Sequence, residues 1–185
     1  MKRASILVSL VGTVVFAIAA RGEQAQIQKP AAQPAAAAAK PATLGKPENV
    51  KWTATTYEAA TADANKKVLE TGKAMAVTGE IVDVSCFLQL GKRGEAHVAC
   101  GSKCIANGQP IGIVDAEGNL YLLMPEEHHP RRDGQVELKT VFAPLLAKTV
   151  TVNGMAVEMK GYRALFVQAG EMGGAVKPAV EGEKK

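Results

Sequence analysis

The chain has 185 residues, 47% of them hydrophobic and 22% charged. That is enough for one domain with a sizeable core, and it excludes a large multidomain enzyme, a long coiled coil or a polytopic membrane protein. The net charge of +4 is unevenly spread: residues 1–47 hold six basic residues and one acid, which leaves 16 basic against 17 acidic residues in 48–185. The sequence pI near 9.0 therefore belongs to the N-terminal stretch. With aromatics at only 4%, it gives no footing for a nucleic-acid partner.

Met1-Lys2-Arg3 is a positive n-region, and Ala4–Ala20 is uncharged and largely apolar. Ala17-Ile18-Ala19 then offers the small-x-small pattern of a signal peptidase site. Residues 1–19 are read as a signal peptide, with an uncleaved anchor as the alternative, and the remainder as periplasmic or secreted. Contact with a membrane is expected only through that N-terminal segment, if it is kept. Residues 20–48, with Pro30, Pro34, Pro41, Pro47 and five consecutive alanines, read as an extended Pro/Ala-rich disordered linker. The folded domain is expected over 49–170 and a flexible tail over 171–185.

Within the domain, Thr55–Thr71 can form a helix on an alanine-rich stripe. A strand is predicted over Ala74–Phe87, with Val82, Val84 and Cys86 on one face and Asp83 and Ser85 on the other. Glu95–Ala106 reads as a short helix stopped by Asn107-Gly108. Ile111–Asp115 and Asn119–Met124 flank Glu117-Gly118 as a hairpin. Leu138, Val141, Phe142, Leu145 and Leu146 form a helical stripe. Thr149–Val152 and Met155–Met159 flank Asn153-Gly154, the strongest short hairpin signal in the chain, and Arg163–Gln168 makes a last strand.

This order resembles the OB-fold over residues 74–168. The resemblance implies an α+β, mainly β, five-to-six-stranded barrel. A short helix is inserted after the first strand and another lies between the third and fourth. OB barrels host many functions, so the chemistry has to come from particular residues.

Cys86, His97, Cys100 and Cys104 make one cluster, spaced C-x10-H-x2-C-x3-C. On a helix, residues 97, 100 and 104 fall within about 60° of one another. With Cys86 brought over them by a turn at Gly91–Gly94, the set becomes Cys₃His, a donor set for one zinc or copper ion. Outside the cytoplasm cysteines are normally paired, and three is an odd number. Metal ligation leads, ahead of a structural disulfide with one buried cysteine and of thiol redox chemistry. The segment Cys100-Gly-Ser-Lys-Cys104 is similar to the CxxxC of Sco copper-delivery proteins and of the binuclear copper loop of cytochrome oxidase. Here Ile105 follows the second cysteine, where Sco-type proteins carry proline.

His128 and His129, in an acidic loop, offer a second metal candidate that is better read as a solvated loop. The sequence lacks CxxCH, Walker A, G-x-S-x-G and H-E-x-x-H, so neither haem nor nucleotide is expected, and no enzymatic activity is assigned. The expected function is an exported soft-metal-binding domain with a structural or carrier role, its partner an envelope protein or a metal donor or acceptor. The alternatives are a periplasmic thiol–disulfide redox protein, with a thiol near a helix start and Lys103, and a disulfide-stapled interaction module.

Overall fold

The computed structural model describes residues 41–128 and 133–172. The proposed leader, most of the linker and the end of the tail lie outside these residues. Among the described residues no helix is long and apolar enough to cross a membrane.

Five strands close a barrel: β2 (Lys73–Asp83), β3 (Ile111–Asp115), β4 (Leu120–Pro125), β5 (Thr149–Met159) and β6 (Tyr162–Val167). The antiparallel pairs are β2–β3, β3–β4, β5–β6 and β2–β5, and a parallel β4–β6 pair completes the ring. A short strand, β1 (Ala42–Leu44), lies parallel to the start of β5. Closure leaves few exposed edges, and this connectivity is compatible with the OB-like topology expected from the sequence.

The two eleven-residue strands make closure achievable, because each passes from one neighbour to another along its length. β2 pairs with β5 up to Glu80 and with β3 from Gly79 onward. β5 pairs with β2 up to Ala156 and with β6 from Met155 onward. A Cβ on Gly79 would lie 2.3 Å from the Val114 carbonyl oxygen, and one on Gly154 would lie 2.7 Å from that of Phe166. At both corners a backbone crosses where only glycine fits.

That geometry corrects the hairpin expected at Asn153-Gly154, which instead lies inside β5. The turn falls seven residues later at Lys160-Gly161, whose φ values of 50° and 86° are the pair of left-handed residues that a tight two-residue hairpin requires. Asn153 is buried and its amide donates to the carbonyls of Leu44 (3.3 Å) and Gly45 (3.1 Å). The sheet thus begins inside the stretch expected to be linker, and Leu44 is fully buried. Burying one leucine contributes about 2 kcal/mol, enough with the Asn153 bonds to hold three residues of edge strand. At the other end, Met172 closes α6 (Ala169–Met172) and is buried in the core, just inside the expected tail.

The helix expected over 55–71 is two, α1 (Ala54–Ala59) and α2 (Asp63–Glu70), because an alanine stripe buries too little to hold one long rod against the barrel. The expected hairpin of β3 and β4 is present, with Gly118 at φ 85°. The stripe at 138–146 lies on α5 (Asp133–Phe142) and a following 3-10 turn that carries Pro144, and its Leu138, Phe142, Leu145 and Leu146 enter the core. Between β2 and β3 the chain inserts two helices, α3 (Val84–Leu90) and α4 (Val98–Ala106). Ile105, fully buried, fastens α4 into the same core.

Candidate metal centre

The strand expected to run on to Phe87 stops at Asp83, because Asp83 caps a helix. Its Oδ1 accepts from the backbone N–H of Ser85 (3.0 Å) and Cys86 (3.4 Å), leaving β2 and opening α3. Cys86 is therefore not a strand residue on the core face. It occupies the third position of α3, where a side chain leans back over the capping residue. The spacing D-x-x-C is what brings the Asp83 carboxylate and the Cys86 thiol face to face.

A glycine ends α3: Gly91 is left-handed (φ 64°), and its N–H returns to the Cys86 and Phe87 carbonyls. The next residues are pinned to the barrel by Glu80. It accepts from Arg93 Nη2 (2.6 Å) and Nε (2.9 Å) and from the Gly94 N–H (2.7 Å). A 3-10 turn over Glu95–His97 then delivers His97 to the start of α4. Its ring lies across Gly101, one turn on, where a Cβ would come within 2.8 Å of His97 Nε2 and 2.5 Å of Leu146 Cδ2. Gly101 is the space the imidazole occupies.

The outcome is a buried group of three. Asp83 is fully buried and His97 is 5% exposed, with Cys86 half-buried beside them. Their ligand atoms all lie within 4.8 Å of one another. Asp83 Oδ2 and His97 Nε2 face each other at 3.8 Å, beyond hydrogen-bond distance, and neither has another partner. Two unmet buried polar atoms are costly unless something sits between them. Two nitrogen or oxygen ligands, each about 2.0–2.1 Å from a tetrahedral ion, stand about 3.4 Å apart, close to the separation seen. The other carboxylate oxygen is held by the α3 backbone, the orienting arrangement that metal-bound carboxylates show.

All three cysteines are free thiols. The Cys86 thiol hydrogen-bonds the Asp83 carboxylate, which together with burial raises its pKa above the ordinary thiol value, while contact with Cys104 acts the other way. Burial pushes the Cys104 thiol up to about 11, helped by its hydrogen bond with Cys100. The three thiols and the Asp83 carboxylate are thus near enough to affect one another's ionisation. Cys104 is half-buried and Cys100 exposed. Of the four residues expected from the sequence, Cys86 and His97 belong to the tight group, and Cys104 and Cys100 fall outside it.

Asp83 is the residue that sequence reading missed, having been placed on the opposite strand face. The signal was present: an aspartate closing an apolar strand, three residues before a cysteine, is a helix cap that turns both side chains to one side. His128 is exposed and lines a separate cavity, and His129 lies outside the described residues. Compared with protein-family models, curated proteins and solved structures, the chain has no match.

Proposed function

We propose that this protein is an exported soft-metal-binding domain that holds one zinc or copper ion through Asp83, Cys86, His97 and Cys104. The observation that carries the reading is the facing pair of partnerless buried atoms, Asp83 Oδ2 and His97 Nε2, with the Cys86 thiol beside them. A cation there satisfies both atoms and takes the thiolates that soft metals prefer. Cys104 is assigned as the fourth ligand because it is the half-buried one of the two remaining thiols and lies near enough to Cys86 to affect its ionisation. Four protein ligands suit holding an ion rather than activating water on it. Cys100, exposed and in contact with Cys104, gives an arriving or departing ion a donor at the surface, which fits a carrier exchanging metal with an envelope partner. Export rests on the N-terminal sequence pattern, with the Pro/Ala linker as a spacer.

The test is metal content and free-thiol count on the full chain purified from the exported fraction without chelator. About one zinc or copper per chain, with thiols that react only after chelation, is the expected result. Metal-free protein that gains no ion on titration would sink the reading. Thiols that then switch between oxidised and reduced forms would favour the redox alternative, for which the contiguous Cys86, Cys104 and Cys100 thiols are the supporting observation. One inert disulfide would favour the interaction module.

A further inference from the structure

The barrel leaves one strand edge open. β2 pairs with β5 from Lys73 to Glu80, but on its other side it pairs with β3 only from Gly79 onward. Among the described residues no strand lies against the outer side of residues 73–78. Alternate residues of that stretch turn their N–H and C=O groups away from β5, an unfilled half of a ladder. Ala74, Met75 and Ala76 pair with Met155, Gly154 and Asn153 of β5, which are all buried, yet the three themselves are exposed, as is Lys73. The ladder is sealed on its β5 side and open on its β2 side.

Little guards this edge. The segment Lys73-Ala-Met-Ala-Val-Thr78 has no proline, and Lys73 at its end is its one charge. Its length is bounded by Trp52, which lies against Gly72, and by the Val114 carbonyl, which closes on Gly79. Neither large cavity is lined by any residue of the segment. A foreign peptide added to an edge draws its specificity from pockets for alternate side chains, and this edge adjoins neither cavity. It offers a flat row of small side chains about one methionine, which a second such row matches.

We propose that two copies of this chain associate through these edges, β2 against β2, antiparallel and two-fold symmetric about Met75. Met75 then meets its own copy, Ala74 meets Ala76, and Lys73 meets Val77. Residues directly opposite share a face, so a two-fold axis through the sheet must pass between identical residues. Centred on Met75, it brings together two side chains that are each 40% exposed and keeps the lysines apart. Centred on Ala76, it would set Met75 against Val77, which the core already buries. The pairing closes on itself and so covers the edge without leading to a fibre. It shares no residue with the metal group.

Sedimentation of the full chain reads the association, under reducing conditions so that the exposed Cys100 cannot bridge copies. A dimer that dissociates on dilution is expected. Met75→Lys and Met75→Glu each place like charges opposite one another and should weaken it about tenfold, while an equal mixture of the two recovers it. A chain that stays monomeric at millimolar concentration, a dimer that the single variants leave intact, or variants that do not recover on mixing overturns the proposal. Should either variant fail to fold, amide exchange on the unaltered chain decides. Protection over residues 73–77 that grows with concentration is expected, and protection that does not change with concentration overturns it.

Discussion

Asn153 and Asp83 are both buried polar side chains on barrel strands, and they do opposite things. Asn153 is met on its donor side: its amide closes on two backbone carbonyls of the β1 segment and ties a distant edge strand to β5. Asp83 caps α3 through Oδ1, while Oδ2 stands 3.8 Å from His97 Nε2, beyond hydrogen-bond distance. Burial of a polar group is therefore no mark of a site. What distinguishes the two regions is the valence left over once the fold has taken its share.

The comparison can be broken from either end, and pH gives the largest expected effect. With Cys86 and Cys104 both harder to ionise than ordinary thiols, an arriving ion must displace a proton from each. Metal affinity should therefore rise with pH between 6 and 8, by up to about 100-fold per unit, or tenfold for each proton released. Competition with a chelator of known proton stoichiometry measures this, and a flat profile removes the thiols from the ligand set. In the metal-free protein the sign reverses: thiols more reluctant to ionise folded than unfolded cost stability as pH climbs past the unfolded thiol value of about 8.5 toward 11.

Asp83→Asn keeps an oxygen to cap α3 while replacing the free oxygen with an amide nitrogen. Metal affinity should fall about 10–100-fold with the melting temperature of the metal-free protein nearly unchanged. Asp83→Ala should lose both affinity and about 1–2 kcal/mol of stability, because the cap goes too. Affinity retained in Asp83→Asn would leave this carboxylate as a cap alone.

Gly101→Ala drives a methyl group into the His97 ring and Leu146. It should cost about 1–3 kcal/mol and weaken metal binding by displacing the imidazole, read by denaturant unfolding and metal titration on the same sample. The smallest and most selective effect is expected from Asn153→Ala. Leaving the Leu44 and Gly45 carbonyls unpaired should lower stability by about 1–2 kcal/mol and leave metal affinity untouched. A loss of metal there would mean that the two regions are coupled and that the comparison is false.

Much of the candidate site was legible. The spacing of Cys86, His97, Cys100 and Cys104 pointed to the stretch in which Cys86 and His97 gather with Asp83. Helical phase put Cys100 with them, whereas it is exposed. His97 lies over Gly101, its i+4 neighbour, as helical spacing requires. Asp83 was misread because strand parity was carried one element too far.

The amino-acid sequence by itself determined what is decided within a few residues. It set the hairpin at Glu117-Gly118, the stripe of α5, the stop after Ala106 and the company that His97 keeps with the cysteines. Such features depend on periodicity, caps and turn chemistry, which act over a turn or a pleat. The tertiary structure alone decided that Asn153-Gly154 would lie inside a strand rather than turn a hairpin, since what Asn153 bonds is 109 residues away at Leu44. It likewise decided that Glu126 would be buried, held by Thr53 from 73 residues away. Whether a polar atom ends up buried, and whether anything meets it there, depends on which distant strand closes over it, and local pattern carries no record of that.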